Sequence, residues 1–202
     1  MYSGLSIRAA AFESAQLRFR HELAALRLLQ AHLYVGPFGI AEHIGPGTAL
    51  LNFEEQTHRL LLHILRPGFG ALEKGVELRV CPTTACAMSH PVLLDGILRN
   101  LVRNAVKYTE PGGRILIGCR RMATEVRIDI YDTGVGIAPE HLPKIFEAFQ
   151  RIDTARAEGL GIGLFVVKRA VALLGHRIEV TSTVSRGSRF SVFARSSLHA
   201  SQ

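Results

Sequence analysis

The chain has 202 residues, a net charge of +7 and 48% hydrophobic residues, enough for one full domain with a helical extension, or for two small domains. The charge favours anionic partners such as nucleotides, acidic proteins or nucleic acid, but the basic residues are scattered and no Lys/Arg block reads as a nucleic-acid arm, so nucleic acid is not among the expected partners. Cys81, Cys86 and Cys119 are too few and too irregular for a disulfide framework and fit a reducing compartment; with no apolar run long enough to cross a bilayer and no signal-peptide core at the N-terminus, the chain reads as cytoplasmic, either soluble or the inner end of something membrane-bound.

Residues 5–34 read as one helix. Phe12, Phe19, Leu26 and Leu33 recur every seven residues, with Leu23 at a second seam position, a stripe suited to a partner helix; a homodimer through this helix is therefore among the expected partners. Gly and Pro then interrupt the pattern between Gly36 and Gly47, which divides the chain into an N-terminal helical segment and linker over 1–49, a second domain over 50–195, and a tail over 196–202.

In the second domain, Leu50–Phe53 reads as a short strand and Glu54–Ile64 as a helix ending before Pro67-Gly68. Val76–Val80 alternates as a strand does. Pro91 opens an amphipathic helix to Tyr108, closed by Pro111-Gly112-Gly113. Arg114–Arg120 and Glu125–Tyr131 form an alternating hairpin; helices are expected over Pro139–Phe149 and Gly163–Leu174, the second stopped by Gly175. Ile178–Thr183 and Ser188–Ala194 close the domain as a hairpin about Arg186-Gly187. Short turns join most adjacent strands, so the expected fold is α+β: a two-layer sandwich of a mixed, mainly antiparallel sheet with helices on one face, preceded by the N-terminal helix.

Three places carry chemistry. Asn100 and Asn104 share one face of the Pro91 helix, and Tyr108 follows four further on. An amide oxygen is a hard, neutral ligand that suits magnesium, although two capped or solvent-facing asparagines would read the same way. Asp132 ends a strand ahead of Gly134 and Gly136; its carboxylate can accept from the exocyclic amine of adenine and would repel the carbonyl of guanine, while the same residues also fit an ordinary Asp-x-Gly turn. Gly159, Gly161 and Gly163 lead into a helix, and backbone N–H groups at a helix start suit phosphate. The run is neither a P-loop, lacking Gly-Lys-Ser/Thr, nor a dinucleotide fingerprint.

In this order the segments resemble the ATP-binding catalytic domain of bacterial sensor histidine kinases, within the wider gyrase, Hsp90, histidine kinase and MutL superfamily. Asn100–Thr109 resembles the family's N box, Asp132–Ile137 its G1 box, Ile145–Phe149 its F box, Gly159–Leu164 its G2 box and Arg186–Phe190 its closing hairpin. The resemblance spans residues 50–195. It implies ATP and Mg2+ as cofactors, with Asn104 as the metal ligand and Asn100 beside it. It further implies Lys107 near the phosphates, Tyr108 flanking the adenine, Asp132 on the adenine amine, and Gly134, Gly136 and Ile137 shaping the base pocket. Gly159, Leu160, Gly161, Ile162, Gly163 and Leu164 should line the phosphates. Residues 150–158 should form a lid, with Arg151 and Arg156 as phosphate contacts and Phe146 and Phe149 anchoring it by packing.

Hydrolysing members of the superfamily carry Glu four residues before the magnesium Asn, as base for water. Here that position is Asn100, which takes no proton at neutral pH, so the resemblance points to phosphotransfer and gives Asn100 a catalytic place. His21, followed by Glu22 in the N-terminal helix, is the candidate phosphoacceptor, but the continuation is Ala24-Ala25-Leu26-Arg27 where the family has Arg-Thr-Pro-Leu. The expected function is transfer of the γ-phosphoryl group of Mg-ATP to a histidine in two-component signalling, with a response-regulator receiver domain or another phosphoacceptor protein as partner. A stand-alone serine kinase of the anti-sigma type and a nucleotide-binding regulator without transferase activity remain alternatives.

Overall fold

In a computed structural model of the chain, residues 48–56, 60, 74–81, 83–150 and 160–196 are described. Apart from Leu160 they belong to one compact unit, made of residues 46–152 and 161–202. The N-terminal helix with its heptad stripe, His21, most of the Glu54–Ile64 helix, and the tail all lie outside the described residues.

The alternating segments form a five-stranded sheet. Its strands are β2 (Glu77–Val80), β4 (Arg114–Arg121), β5 (Glu125–Asp132), β6 (Arg177–Thr183) and β7 (Gly187–Arg195). They are ordered β2-β4-β5-β7-β6. Only β2–β4 is parallel; β4–β5, β5–β7 and β6–β7 are antiparallel. This is the mixed, mainly antiparallel sheet expected from the short turns. A second, two-stranded sheet pairs β1 (Ala49–Asn52) antiparallel with β3 (Cys86–Ser89). β3 has no alternating signature in Cys86-Ala87-Met88-Ser89 and escapes a pattern reading.

One face of the large sheet is apolar. Ile115 and Ile117 of β4, Val126, Ile128 and Ile130 of β5, and Phe190, Val192 and Ala194 of β7 are all buried there. Helix α1 (Pro91–Tyr108) covers them with Leu94, Ile97, Leu98, Leu101, Val102, Ala105 and Val106, the spacing of a single helical stripe. Burying each Val, Leu, Ile or Phe side chain among them stabilises the fold by about 1.5–3 kcal/mol. Helix α2 (Gly163–Leu173) adds Val166, Val167, Ala170 and Val171. It ends in a Schellman motif: the Gly175 N–H bonds Ala172 O at 3.1 Å and the His176 N–H bonds Val171 O at 2.9 Å, with Gly175 at φ +62°. No helix among the described residues is long and apolar enough to cross a membrane.

The helix expected over Pro139–Phe149 is not formed. The segment is a chain of turns with i→i−3 bonds: His141 N–H to Ala138 O, Leu142 N–H to Pro139 O, Lys144 N–H to His141 O and Glu147 N–H to Lys144 O. Pro143 is the reason: it has no N–H to give Pro139 O, and its ring disfavours helical backbone in Leu142.

Candidate functional site

The end of β5 carries Asp132, which is only 4% exposed. Its Oδ1 accepts the N–H of Gly134 at 2.9 Å and of Ser188 at 3.2 Å, while Oδ2 takes no hydrogen bond among the described residues. Burial pushes the carboxyl above the ordinary Asp range, and the two N–H groups pull part of the way back. The result is a desolvated carboxylate with one oxygen fixed and the other left to accept a donor.

The loop after Asp132 is pressed between α1 and the β6–β7 hairpin. The Val135 N–H bonds Tyr108 O at 3.2 Å and the Ser185 N–H bonds Val135 O at 2.8 Å. A Cβ at Gly134 would collide with the Tyr108 carbonyl, and one at Gly136, where φ is +71°, with the Thr183 carbonyl. The loop therefore approaches both neighbours as bare backbone. The Ile137 N–H donates to Ser182 Oγ at 2.7 Å, so Ile137 is fixed through its backbone while its side chain packs on the core. Ser182 Oγ in turn donates to Gly187 O at 3.0 Å and lies 2.9 Å from Ser188 Oγ.

At the far end of the site, α1 and α2 meet. The Asn100 Nδ2 donates to Gly96 O at 2.9 Å, which turns its Oδ1 toward α2, 3.1 Å from where a Cβ on Gly163 would stand. Asn104, one turn on and half-buried, has no side-chain hydrogen bond among the described residues, so its amide oxygen is uncommitted. Helix α2 begins at Gly163 with Ile162 as N-cap, no side-chain cap and no acidic residue in the first turn. Its first N–H groups are open to an anion.

Asn100, Asn104, Lys107, Tyr108, Asp132, Gly134, Gly136, Ile137, Gly161, Ile162, Gly163 and Leu164 thus lie in one unit, with Leu160 just ahead of Gly161; Arg151, Arg156 and Gly159 lie outside the described residues. The Lys107 ammonium stands 5.0 Å above the centroid of the Tyr108 ring. Phe146 packs on the core, whereas Phe149 is 66% exposed at φ +65°; the expected lid lies outside the described residues beyond Gln150.

Sequence reasoning missed Ser182 and Ser188. Both sit in the closing hairpin, and no local signal marks their role, because their partners are Ile137, in the loop after β5, and Asp132, at the end of β5. It also missed Lys74, whose Nζ donates to Val106 O at 3.0 Å and Lys107 O at 2.8 Å, closing the C-terminal turn of α1. The cysteines are free; burial pushes the Cys119 thiol up to about 12, against a bond to Thr83, so it stays protonated. No cluster of His, Cys, Asp or Glu fit to hold a metal occurs among the described residues.

The chain is similar to several known proteins. Over 123 residues, 59% of the chain, it is 40% identical to the sensor histidine kinase CusS of Escherichia coli O6:H1, covering 25% of that protein. Over 100 residues it is 42% identical to the sensor protein SrrB of Staphylococcus aureus NCTC 8325, covering 17% of it. The chain thus spans a quarter or less of the curated relatives it matches. Among solved structures, full-length ShkA in complex with AMPPNP is 26% identical, with a TM-score of 0.71 over 97% of this chain and 40% of that one. The mycobacterial sensor histidine kinase MprB shares the fold at a TM-score of 0.63 and 23% identity, over 73% of this chain and 97% of that one. Residues 89–197 match the family described as histidine kinase-, DNA gyrase B- and HSP90-like ATPase, and with more than half of its length inside that match the chain belongs to this family.

Proposed function

We propose that residues 50–195 bind Mg-ATP and pass its γ-phosphoryl group to a histidine, as the kinase domain of a two-component signalling protein. The observation that carries this reading is Asp132: a buried carboxylate whose Oδ1 is held by the Gly134 and Ser188 N–H groups and whose Oδ2 awaits a donor. The adenine amine is such a donor, and guanine has a carbonyl at that position. From there the ligand runs past Asn104 toward the open N-terminus of α2, which meets the phosphates.

Magnesium fits the donor set. It takes few protein ligands and bridges phosphate oxygens, and Asn104 offers one uncommitted amide oxygen. When bound it would neutralise charge on the β- and γ-phosphates. Asn100 supplies no base for water, because an amide takes no proton at neutral pH, which supports transfer over hydrolysis.

The acceptor is His21 or a histidine on a partner segment, and the phosphoryl group then goes to a receiver domain or another phosphoacceptor protein. The supply of ATP sets this chemistry in the cytoplasm, and the names of the relatives support a place in a larger sensor. Incubation with γ-labelled ATP and Mg2+ tests the reading. Acid-labile, base-stable label that disappears in His21→Ala supports transfer to His21; the same label on a partner histidine supports transfer in trans. Acid-stable label on a partner serine, or binding with no transfer to any acceptor, would sink the histidine-kinase reading.

A further inference from the structure

The sheet face turned away from the helices has two halves of different character. At one end most of its charges pair with one another, Arg120 and Arg195 excepted. Arg127 Nε pairs with Asp129 Oδ2 at 2.9 Å, and Ser191 Oγ donates to Asp129 Oδ1 at 2.6 Å. Arg177 pairs with Glu125 at 3.1 Å and with Glu179, and its guanidinium covers the Phe193 ring at 3.6 Å.

At the other end, beside the nucleotide loop, they are open. Here lies a groove of about 240 Å³, lined by Arg79, Arg114, Leu116, Tyr131 and Thr133, with Glu77 as its one acidic residue. Leu116 and Tyr131 are directly opposed across β4–β5 and are 37% and 41% exposed. Arg189 is opposite Tyr131 on β7, and among the described residues its guanidinium gives one long bond, 3.4 Å, to Thr181 Oγ1. Neither Arg79 nor Arg114 has a carboxylate partner among the described residues. An apolar floor thus lies among three arginines and a single glutamate.

We propose that this groove is a docking site for an acidic protein segment, which sets carboxylates against Arg79, Arg114 and Arg189 and one apolar side chain between Leu116 and Tyr131. Charge complementarity selects the occupant: a neutral or basic segment would leave the arginines desolvated and unpaired. A volume of about 240 Å³ holds a side chain rather than a folded element. A nucleic acid would need successive aromatic platforms, and the second ring of the face, Phe193, is already covered by Arg177. The site lies back to back with the nucleotide pocket, because Tyr131 and Thr133 flank Asp132 on the opposite side of the same strand.

The test titrates the 15N-labelled 202-residue chain with two probes. One is a twelve-residue Asp/Glu-rich peptide with one central leucine; the other is a single-stranded oligonucleotide of equal charge. The expected result is saturable shifts of the Leu116, Tyr131 and Thr133 amides by the peptide. Affinity should fall at least tenfold in Arg79→Glu/Arg114→Glu, and severalfold in Leu116→Ala. Absence of peptide binding, shifts mapping elsewhere, or indifference to the double reversal overturns the proposal, as does tighter binding of the oligonucleotide at the same residues. ATP affinity measured on each sample reports that the variants fold. Its absence from the wild-type chain would count against the kinase reading and not against the groove.

Discussion

Asp132 is held in a state that costs the free protein stability. Its carboxyl titrates above the ordinary Asp range because burial outweighs the two N–H groups on Oδ1. A folded pKa above the unfolded one means that the folded state binds the extra proton, so the cost grows as pH rises through that window and is fully present at neutral pH. An adenine amine donating to Oδ2 favours the ionised form and offsets the cost on binding. Asp132→Asn keeps an acceptor for Gly134 and Ser188 but presents N–H groups to the adenine amine. Loss of a charge-assisted hydrogen bond of about 1.5–3 kcal/mol should weaken ATP binding roughly ten- to a hundredfold, while the melting temperature of the nucleotide-free protein rises. Calorimetric titration and thermal unfolding check the two halves separately. For the wild type, ATP affinity should fall as pH is lowered through the raised pKa of Asp132, and the Asn variant should lose that acid limb. The sequence made Asp132 legible because a strand-ending carboxylate before Gly-x-Gly is a local pattern. Ser188 was not legible, since it meets Asp132 from 56 positions away.

At the scale of elements, the site depends on how closely α1 approaches α2. Gly163 opens α2 directly against Asn100 Oδ1, so a methyl there must push the amide or the helix start by a few tenths of an ångström. Gly163→Ala should therefore weaken ATP and ADP severalfold to about tenfold while leaving adenosine binding near wild type, since the base end is untouched. Parallel titrations with the three ligands check this; an equal loss for all three would mean that the whole site had shifted. Helix α1 was readable in full, because Pro91, the apolar stripe and Pro111 mark its start, face and end. The segment after Pro139 misled, because Ile145, Phe146 and Phe149 have helical spacing while Pro143 removes a donor the helix needs. Periodicity reports which side chains are buried; it does not report whether each backbone N–H has an acceptor.

For the molecule as a whole, one half-buried histidine ties distant parts together. The Schellman turn after α2 delivers His176 to β3, where its Nε2 lies 2.8 Å from Ser89 Oγ. Burial holds its pKa down at about 4, against the pull of Glu125. A folded pKa below the unfolded 6.5 means that the unfolded chain takes up the proton first. The stability His176 contributes is present above pH 6.5 and is lost as pH falls toward 4, by roughly 3 kcal/mol for a shift of this size. His176→Asn should flatten the acid limb of unfolding free energy between pH 6.5 and 4, measured by denaturant titration at several pH values; an unchanged slope would remove His176 as its source.

The sequence by itself determined the strands that alternate, the two helices α1 and α2, the order of the nucleotide-binding boxes and hence the family. All of these are written in local periods and in residues whose partners are near in the chain. Only the tertiary structure decided that β2 runs parallel to β4, that Cys86–Ser89 is a strand paired with Ala49–Asn52, and that Ser182 and Ser188 brace the loop and the carboxylate. It alone also divided the open sheet face into a half where most charges pair and an arginine-rimmed groove. Those outcomes turn on register and on hydrogen-bond partners far apart in the chain, which a local pattern of burial does not encode.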